Sequence, residues 1–466
     1  MTTSIGRVRS VRTSFGSRSA LGPTIALSIL AVLLAAVVSF ANPDFAGLLP
    51  ALLVFIVTLG LTWRRLSPIA LSPSFYFAAY LAVVAILGLL LTNALVGAGG
   101  TGGIDVAIPA EMAVATASAM LLAGALTLAA AAFVRGGVGG GGAQNIFDLG
   151  SLSKYAGWFL VFGTLELFAV ISFLGFSDLM SRVNRLVGRG SSFEAVIAMA
   201  AIAAFLVVSI AFFTRRGPVK LYALMLMLGF VGYFVSLGTR RLALLPILLI
   251  LAYAMANKGR IPLVPAILAG ITALLSLALP LHFRGQELHG IIPHIGSLAA
   301  FDLSLDVIAT SFNNFLAGFK ITAMTGFAQP PIPIEVLWIS LNPITGDLAG
   351  WYDVSRSLRL NQFTPYSAIG ELINYGPVVF TAVFAALGAV LGLIQRINDR
   401  LLGDTLGRFI VILALGLIFI FVIQSAQYNL RSDVRYVYLA LMAQGAGLLL
   451  ITIRNSVGKR SGRITA

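Results

Sequence analysis

Twelve stretches of this chain, each roughly 15–25 residues long, are almost entirely apolar, and they constrain the fold more than any other feature. Only 10% of the 466 residues are charged, and 59% are hydrophobic. Soluble domains carry about a quarter charged residues, so this chain cannot cover a water-facing surface of its size. The sequence therefore excludes a soluble multidomain enzyme, a disordered chain and a fibrous chain. It predicts an all-α polytopic membrane protein with about 12 transmembrane helices.

The apolar stretches follow one another along the chain, so 1–466 is predicted to be a single membrane domain. They are Ala20–Ala41, Ala46–Trp63, Phe75–Leu95, Ala110–Val134, Tyr155–Phe176, Ala195–Phe213, Leu221–Leu237, Leu242–Ala256, Ile261–Leu281, Ile373–Ile394, Phe409–Ile423 and Tyr436–Ile453. The segment before the first stretch carries four arginines. We expect that stretch to be an uncleaved span with its N-terminus in the cytoplasm.

The distribution of positive charge predicts the orientation of these spans. The formal net charge is +14, and the chain has 31 Lys and Arg residues. Alternating the spans from a cytoplasmic N-terminus places 20 of the 31 on the cytoplasmic side. Both termini are then cytoplasmic, and most of the basic charge is explained by topology. Nucleic acid is not an expected partner.

One predicted extracytoplasmic loop, between spans 9 and 10, is much longer than the others and covers residues 282–365. Within it Ser297–Thr325 is mostly apolar with interspersed polar residues, which is typical of an amphipathic helix on the membrane surface or over the bundle. Several prolines follow and prevent a long helix there. The aromatic content of the loop favours an ordered structure. Long ordered loops are usually functional.

Eleven cations fall on the predicted outer side, where the positive-inside rule would reduce their number. Each one alone is consistent with anchoring of a helix end to lipid phosphates. Together, a converging set would suit a lipid-linked phosphate or pyrophosphate. The tight turn Gly238–Arg241 is the sharpest example, because it places two guanidinium groups at headgroup depth. The set is Arg182, Arg185, Arg189, Arg240, Arg241, Arg284, Lys320, Arg356, Arg359, Arg431 and Arg435.

All three histidines of the chain lie in one segment, His282–His294, together with Arg284 and Glu287. Their spacing does not match a metal-binding motif such as two histidines at i and i+4, so we predict no metal site. A general base or hydrogen-bonding role for one histidine or for Glu287 is the functional interpretation. Interfacial histidines without a catalytic role are the alternative.

Two acidic residues lie where a membrane makes charge expensive. Thr364 and Pro365 predict the N-cap and first position of the tenth span, which places Glu371 about two turns into that helix. Pairing with an arginine, or a functional role, would explain Glu371. Glu166 lies in the middle of the fifth span, where it would be a structural partner of an arginine, a proton-relay group or a neutral buried acid.

The segment Gln424–Tyr436 is unusually polar for a turn between two spans. It contains amides, a hydroxyl, aromatic rings, two arginines and Asp433, which are groups suited to binding a sugar. A generic polar turn is the alternative interpretation.

Several of these segments resemble the Wzy-type O-antigen and exopolysaccharide repeat-unit polymerases, and more broadly the related O-antigen ligases. The resemblance rests on the turn at Gly238–Arg241, a long outer loop containing 341–344, and an Asn429–Arg431 turn before the last span. It also rests on the segment Thr364–Gly376, which opens a span with further glycines, Gly388 and Gly392. Arg359 and Gly370 also have the Arg-x10-Gly spacing described for such polymerases.

The resemblance implies an enzyme of the bacterial plasma membrane whose active face is extracytoplasmic. It would transfer a glycan from undecaprenyl pyrophosphate to a lipid-linked repeat unit, without a cofactor or a nucleotide. Its partners would be undecaprenyl-pyrophosphate-linked oligosaccharide, membrane lipids and a chain-length regulator. The candidates for the general base are Glu287, His289 and Asp433. The candidates for pyrophosphate contacts are Arg240, Arg241, Arg284, Arg359, Arg431 and Arg435.

Two other functions remain open at this stage. A ligase that moves a finished glycan to another acceptor would need the same donor site. A flippase or secondary transporter also fits twelve helices with both ends inside, and Glu166 is the best argument for it. Transporters, however, often have similar halves and polar residues at the midplane. In this chain the polar residues concentrate at the predicted outer rim.

Overall fold

The structure is a computed structural model that describes residues 45–63, 65–66, 72–96, 107–135, 152–183, 192–257, 263–284, 286–299, 301, 304–342, 350–361 and 364–464. The first predicted span, Ala20–Ala41, lies outside these residues, as do Arg185 and Arg189. Regular structure in the described ranges is almost entirely helical. Its one small sheet pairs β1 (Arg359–Asn361) with β2 (Thr364–Pro365) as an antiparallel hairpin.

The helices in chain order are α1 (Phe45–Trp63), α2 (Pro73–Leu91), α3 (Ala110–Arg135), α4 (Ala156–Leu174), α5 (Phe176–Met180), α6 (Ser192–Thr214), α7 (Pro218–Leu237), α8 (Leu244–Ala256), α9 (Leu263–Leu275), α10 (Leu279–Arg284), α11 (Ile291–Leu298), α12 (Leu305–Phe327), α13 (Ile334–Leu341), α14 (Trp351–Ser355), α15 (Ala368–Asn374), α16 (Pro377–Leu401), α17 (Thr405–Gln424) and α18 (Leu430–Ile464).

Eight of the described helices are long and apolar enough to cross a membrane, namely α2, α3, α4, α6, α7, α16, α17 and α18. The apolar helices α1, α8 and α9 are shorter. Each of these eleven coincides with a predicted span, so an all-α, multi-pass membrane protein is confirmed. The total number of crossings and their orientation stay predictions.

Helix α3 forms the centre of the larger of two packed groups of helices. Nearly all of its side chains are buried, and most are alanine or another small residue. Small side chains let helix backbones approach closely in a membrane. On α16, a Cβ added to Gly388 would lie 2.5 Å from the carbonyl oxygen of Thr127, and one added to Gly392 would lie 2.6 Å from that of Ala131. These glycines therefore set the close contact between α16 and α3.

The second group of helices contains α4, α6, α7 and α8, with a core that includes Phe205, Phe230 and Phe234. It meets the larger group where Ile210 and Met255 pack with Ile412 of α17. The two groups of helices are therefore in contact through α6, α8 and α17.

The predicted ninth span, Ile261–Leu281, is wrong as a single helix. Helix α9 ends at Leu275, a turn follows, and α10 begins at Leu279. Pro280 explains the break, because proline has no N–H to donate to the carbonyl of the preceding turn.

Two positions were predicted for the helix within Ser297–Thr325, on the membrane surface or over the bundle, and the membrane surface is wrong. Helix α12 is packed into the bundle, and its buried residues include Asn313, Asn314 and Lys320. Phe319 lies against Gly88 of α2, where an added Cβ would approach its ring to 2.3 Å. The polar residues that suggested a membrane surface are therefore buried against other helices.

Candidate functional site

Polar contacts distinguish the two ends of the helix bundle. At one end Arg135 forms an ion pair with Asp399 at 3.1 Å and donates to the carbonyl of Arg65, while Gln395 donates to the carbonyl of Leu66. Arg454 and Asp404 pair at the same end, which holds cations predicted to be cytoplasmic. The helix ends that carry most of the predicted site residues meet at the other end, here called the site end.

The turn Gly238–Arg241 lies at the site end between α7 and α8. Gly238 ends α7 with φ +55, a left-handed conformation that suits glycine. A Cβ at this position would also lie 3.3 Å from both the His294 ring and Phe283. The tight turn predicted at this position is therefore present between the two helices. The side chain of Arg240 is outside the described atoms, and that of Arg241 is half-buried.

His289 and His294 lie beside this turn, and both are buried. Nδ1 of His294 is 2.7 Å from the carbonyl oxygen of Val235, so this nitrogen carries the proton and donates. Nε2 of His294 then accepts from Nδ1 of His289 at 3.3 Å. The His294 ring stacks on Phe283 with the centroids 4.3 Å apart. Burial lowers the pKa of His294, and the nearby positive charge of Arg182 acts in the same direction.

Arg182 holds this histidine cluster against α7. Its guanidinium donates to Oγ of Ser236 at 2.9 Å, to the carbonyl of Ser236 at 2.8 Å and to that of Asp178 at 2.9 Å. Its backbone pairs with that of His289 through two hydrogen bonds of 2.7 and 2.8 Å. Arg182 therefore fixes the segment between α10 and α11 in place. His282, within α10, is placed by a 3.2 Å contact with the carbonyl of Ser297.

A second group of predicted residues, Glu371 and Asp433, forms a buried carboxyl pair. Both side chains are 0% exposed, and they lie close enough for their charges to interact. Oε1 of Glu371 accepts a 3.3 Å hydrogen bond from the backbone N–H of Leu430. Oε2 of Glu371 and both Asp433 oxygens have no hydrogen-bond partner within the described part of the chain. Burial raises the pKa of Glu371 to about 8, and the Leu430 bond opposes this rise.

The short helix α15 places Glu371, and its start differs from the prediction. Thr364 and Pro365 form strand β2, and Ser367 is the N-cap, with Oγ accepting from the Gly370 N–H at 2.8 Å. Gly376, with φ +89, separates α15 from α16. Glu371 therefore lies in a separate helix that precedes the membrane span. The expected arginine partner is not found among the described contacts of Glu371.

The polar turn Gln424–Asn429 is hydrogen-bonded to the first turn of α15. The carbonyl of Tyr428 accepts from the Ala368 N–H at 2.7 Å, and that of Ser425 accepts from Ile369 at 3.4 Å. Tyr80 of α2 donates to the carbonyl of Ile423 at 3.0 Å, and its hydroxyl lies within electrostatic range of Asp433. The turn thus closes over the carboxyl pair.

Arg431 is buried and contacts α13. Its Nη1 donates to the carbonyls of Ile339 at 2.5 Å and Asn342 at 3.0 Å, and its guanidinium lies 5.4 Å from the centre of the Trp351 ring. Tyr438 donates to the neighbouring carbonyl of Leu341 at 2.6 Å. A cation at the carboxyl end of a helix satisfies its unpaired carbonyls and complements its dipole. Arg431 therefore anchors the long loop to α18.

Arg241 connects the two groups of predicted residues. Its charge acts on the hydroxyl of Tyr436, which also interacts with Asp433 and hydrogen-bonds Gln424. The Gly238 turn thus lies beside the histidine cluster, and the charge of Arg241 reaches the tyrosine that interacts with Asp433. Of the predicted residues, the structure brings His289 to this turn through His294, and it brings Asp433 to Glu371.

The other predicted residues are more peripheral or not described. Arg435, Glu287 and Arg359 are exposed, and Arg359 lies in the β hairpin. The Arg284 side chain is outside the described atoms. Glu166 is buried in the middle of α4, and its Oε1 has no partner among the described residues. The described residues contain no group of three or more potential metal-ligating side chains.

Sequence reasoning missed Ser236 and Tyr80, which position Arg182 and the polar turn. Both lie within apolar spans, where one hydroxyl gives no distinct signal.

No family model, curated protein or solved structure matches the chain. The functional argument therefore depends on the site itself.

Proposed function

We propose that the protein transfers a glycan from a polyprenyl pyrophosphate to the hydroxyl of a second lipid-linked oligosaccharide. The carboxyl pair Glu371–Asp433 is the observation that carries this proposal. It is a buried acid–base group with unused oxygens, placed under a turn rich in amides and hydroxyls, and its neighbour Tyr436 feels the charge of Arg241. Such a site suits proton transfer from a sugar hydroxyl beside a developing negative charge.

In the proposed reaction an acceptor hydroxyl oxygen bonds to C1 of the donor sugar. The hydroxyl proton passes to a carboxylate of the pair. The bond between C1 and the pyrophosphate oxygen breaks, and its electron pair leaves with the pyrophosphate. The reaction needs no nucleotide, because the activated bond is already present in the donor.

Fixed cations near the pyrophosphate would stabilise the charge that grows on the leaving group. Among the candidate arginines whose side chains the structure describes, Arg241 is the best placed, because it is half-buried and its charge acts on Tyr436. Arg240 belongs to the same turn. Arg359 and Arg435 are exposed and suit a contact with a phosphate that approaches from solvent. Arg431 donates to the carbonyls of Ile339 and Asn342 at the end of α13, which favours a structural role for it.

Substrate can reach the carboxyl pair only when its cover moves, because both side chains are 0% exposed. The polar turn is held to α15 by the Ala368–Tyr428 and Ile369–Ser425 hydrogen bonds and to α12 by a bond from Gln427 to the carbonyl of Asn314. We propose that substrate binding displaces this turn from α15 and exposes Glu371.

We propose that the site end faces away from the cytoplasm. The cations Arg65, Arg135 and Arg454 lie at the opposite end of the bundle, and the positive-inside rule assigns such an end to the cytoplasm. The bacterial plasma membrane is the compartment where a polyprenyl pyrophosphate donor and this orientation occur together.

Purified protein supplied with lipid-linked repeat units tests the function. We expect longer lipid-linked glycans to form without added nucleotide sugar, and Arg359→Ala to slow their formation. Conversion of a different acceptor, with no lengthening of the repeat unit, would instead identify a ligase. Normal lengthening by Arg359→Ala would exclude that residue from the donor site.

A proton-coupled transporter of lipid-linked oligosaccharide is the second candidate. The buried, partly unpartnered carboxyls Glu371, Asp433 and Glu166 favour it, since such groups can carry protons within a membrane. Liposomes loaded with lipid-linked units distinguish the two. Movement of an unchanged unit across the bilayer, coupled to a pH gradient and without lengthening, would identify the transporter.

A further inference from the structure

Glu371 and Asp433 are equally buried but differ in their hydrogen bonds. Glu371 accepts one backbone N–H, from Leu430, whereas neither oxygen of Asp433 has a partner within the described part of the chain. A hydrogen bond from a backbone N–H stabilises a carboxylate over the protonated acid. A buried carboxyl without such a donor is more stable when it is neutral. The two groups therefore differ in how readily they lose a proton.

We propose that the carboxyl pair is a proton-holding site in which Glu371 exchanges its proton with substrate or water while Asp433 keeps its own. Two neighbouring buried carboxylates repel each other, so the pair does not ionise fully near neutral pH. The first proton leaves from the group whose negative charge is better supported. That group is Glu371.

The charges around the pair favour this division. Glu371 and Asp433 interact with each other, and neither carboxyl forms an ion pair or a hydrogen bond with a cation among the described residues. The guanidinium of Arg431 is turned toward α13, and Arg435 is exposed. The remaining titratable neighbours are tyrosines that come from several elements. They are Tyr80 and Tyr436 near Asp433, and Tyr366 and Tyr375 near Glu371.

The pKa of Glu371, which burial raises to about 8, supports an exchange close to neutral pH. A general acid–base group is most effective when its pKa lies near the working pH. Under the proposed function, on which this use depends, Glu371 is the base that receives the acceptor proton. Asp433, while protonated, is uncharged and so keeps the carboxylate of Glu371 from facing a second negative charge.

Infrared difference spectroscopy of the full-length protein in detergent tests the inference without any activity assay. The C=O stretch of protonated carboxyl groups is separate from that of carboxylates, so it reports the proton directly. The protein would be titrated from about pH 6 to about pH 10, around the pKa range in question. Glu371→Gln and Asp433→Asn preserve side-chain size, and Glu287→Gln, at an exposed acid, is the control.

In the wild type we expect the protonated-carboxyl band to have a part that titrates near pH 8 and a part that does not. Glu371→Gln should remove the titrating part. Asp433→Asn should reduce the constant part and leave the remaining titration near pH 8, because a neutral amide replaces a neutral, protonated carboxyl. Glu287→Gln should leave both parts as in the wild type.

Two results would overturn the inference. One is a wild-type spectrum without any protonated-carboxyl band near neutral pH. The other is a titrating part that persists in Glu371→Gln and disappears in Asp433→Asn, which would reverse the two roles. Either result leaves the glycan-lengthening assay to decide the proposed function separately.

Discussion

The backbone N–H of Leu430 donates to Oε1 of Glu371 across 3.3 Å, and this bond ties the first residue of α18 to the short helix α15. It also brings Asp433, less than one turn further along α18, next to Glu371. A buried carboxyl pair thus arises from two segments that are far apart in the sequence. The proposed chemistry depends on this pair.

The stability of the protein should depend on pH through Glu371. Its pKa rises from 4.5 to about 8 in the folded protein because the side chain is buried. The folded state then binds the proton more tightly than the unfolded chain. The stability that this proton binding contributes is fully present below pH 4.5 and is lost as the pH rises to about 8. Thermal unfolding in detergent should show a smaller decrease over this range for Glu371→Gln than for the wild type.

The control for this measurement is Glu287→Gln, which changes an exposed acid. Its stability should follow the wild-type pH dependence. Parallel curves for Glu371→Gln and the wild type would show that burial does not alter the titration of Glu371.

Arg431→Ala should destabilise the protein. The variant leaves the carbonyls of Ile339 and Asn342 without their donor, and hydrogen bonds to charged groups contribute about 1.5–3 kcal/mol. Arg435→Ala, on the exposed face of the same helix, should change the free energy of unfolding by about 0.5 kcal/mol or less. Equal effects of the two substitutions on unfolding in denaturant would contradict the structural role of Arg431.

Gly388→Ala should weaken the contact between α16 and α3. The added Cβ would lie 2.5 Å from the Thr127 carbonyl oxygen, so a backbone has to shift, at a cost of about 1–3 kcal/mol. Gly416→Ala is the matched change in α17, where the added Cβ meets no atom within 4 Å. Measured unfolding free energies should fall only for Gly388→Ala. A similar loss at both positions would contradict the packing explanation, because helix propensity alone favours alanine over glycine.

Arg241→Ala should slow glycan transfer about 10²–10³-fold, the usual effect of removing one group that stabilises developing charge. Its side chain is only half-buried, so thermal stability should change little. Arg356→Ala, at an exposed site after α14, is the control and should transfer glycan at the wild-type rate. Loss of activity that tracks a loss of folded protein would assign Arg241 to structure instead.

Local sequence patterns predicted the helices well because length and apolar character alone identify a membrane span. They also located the Gly238 turn, Glu371 and the polar turn, since each interrupts or borders an apolar run. They misplaced the start of α15, because Thr364 before Pro365 and Ser367 before Gly370 are both plausible caps. The hairpin pairing of Thr364 with Asn361 decides between them.

Contacts between distant segments had no local signal. The pairing of Glu371 with Asp433 and the bond from Tyr80 to Ile423 arise only when the helices pack. The same is true of α12, which was predicted either on the membrane surface or over the bundle, and whose polar residues are buried within the bundle. An amphipathic pattern shows that a helix has two unlike faces, but it does not identify what covers each face.

Chain lengthening by Glu371→Gln tests the central claim most directly. Purified wild type and variant would receive the same lipid-linked repeat units, and the length of the lipid-linked glycans would be followed over time. We predict lengthening by the wild type without nucleotide sugar, none above background for folded Glu371→Gln, and wild-type lengthening for Glu287→Gln. Wild-type rates for Glu371→Gln would contradict an acid–base role of the carboxyl pair in glycan transfer.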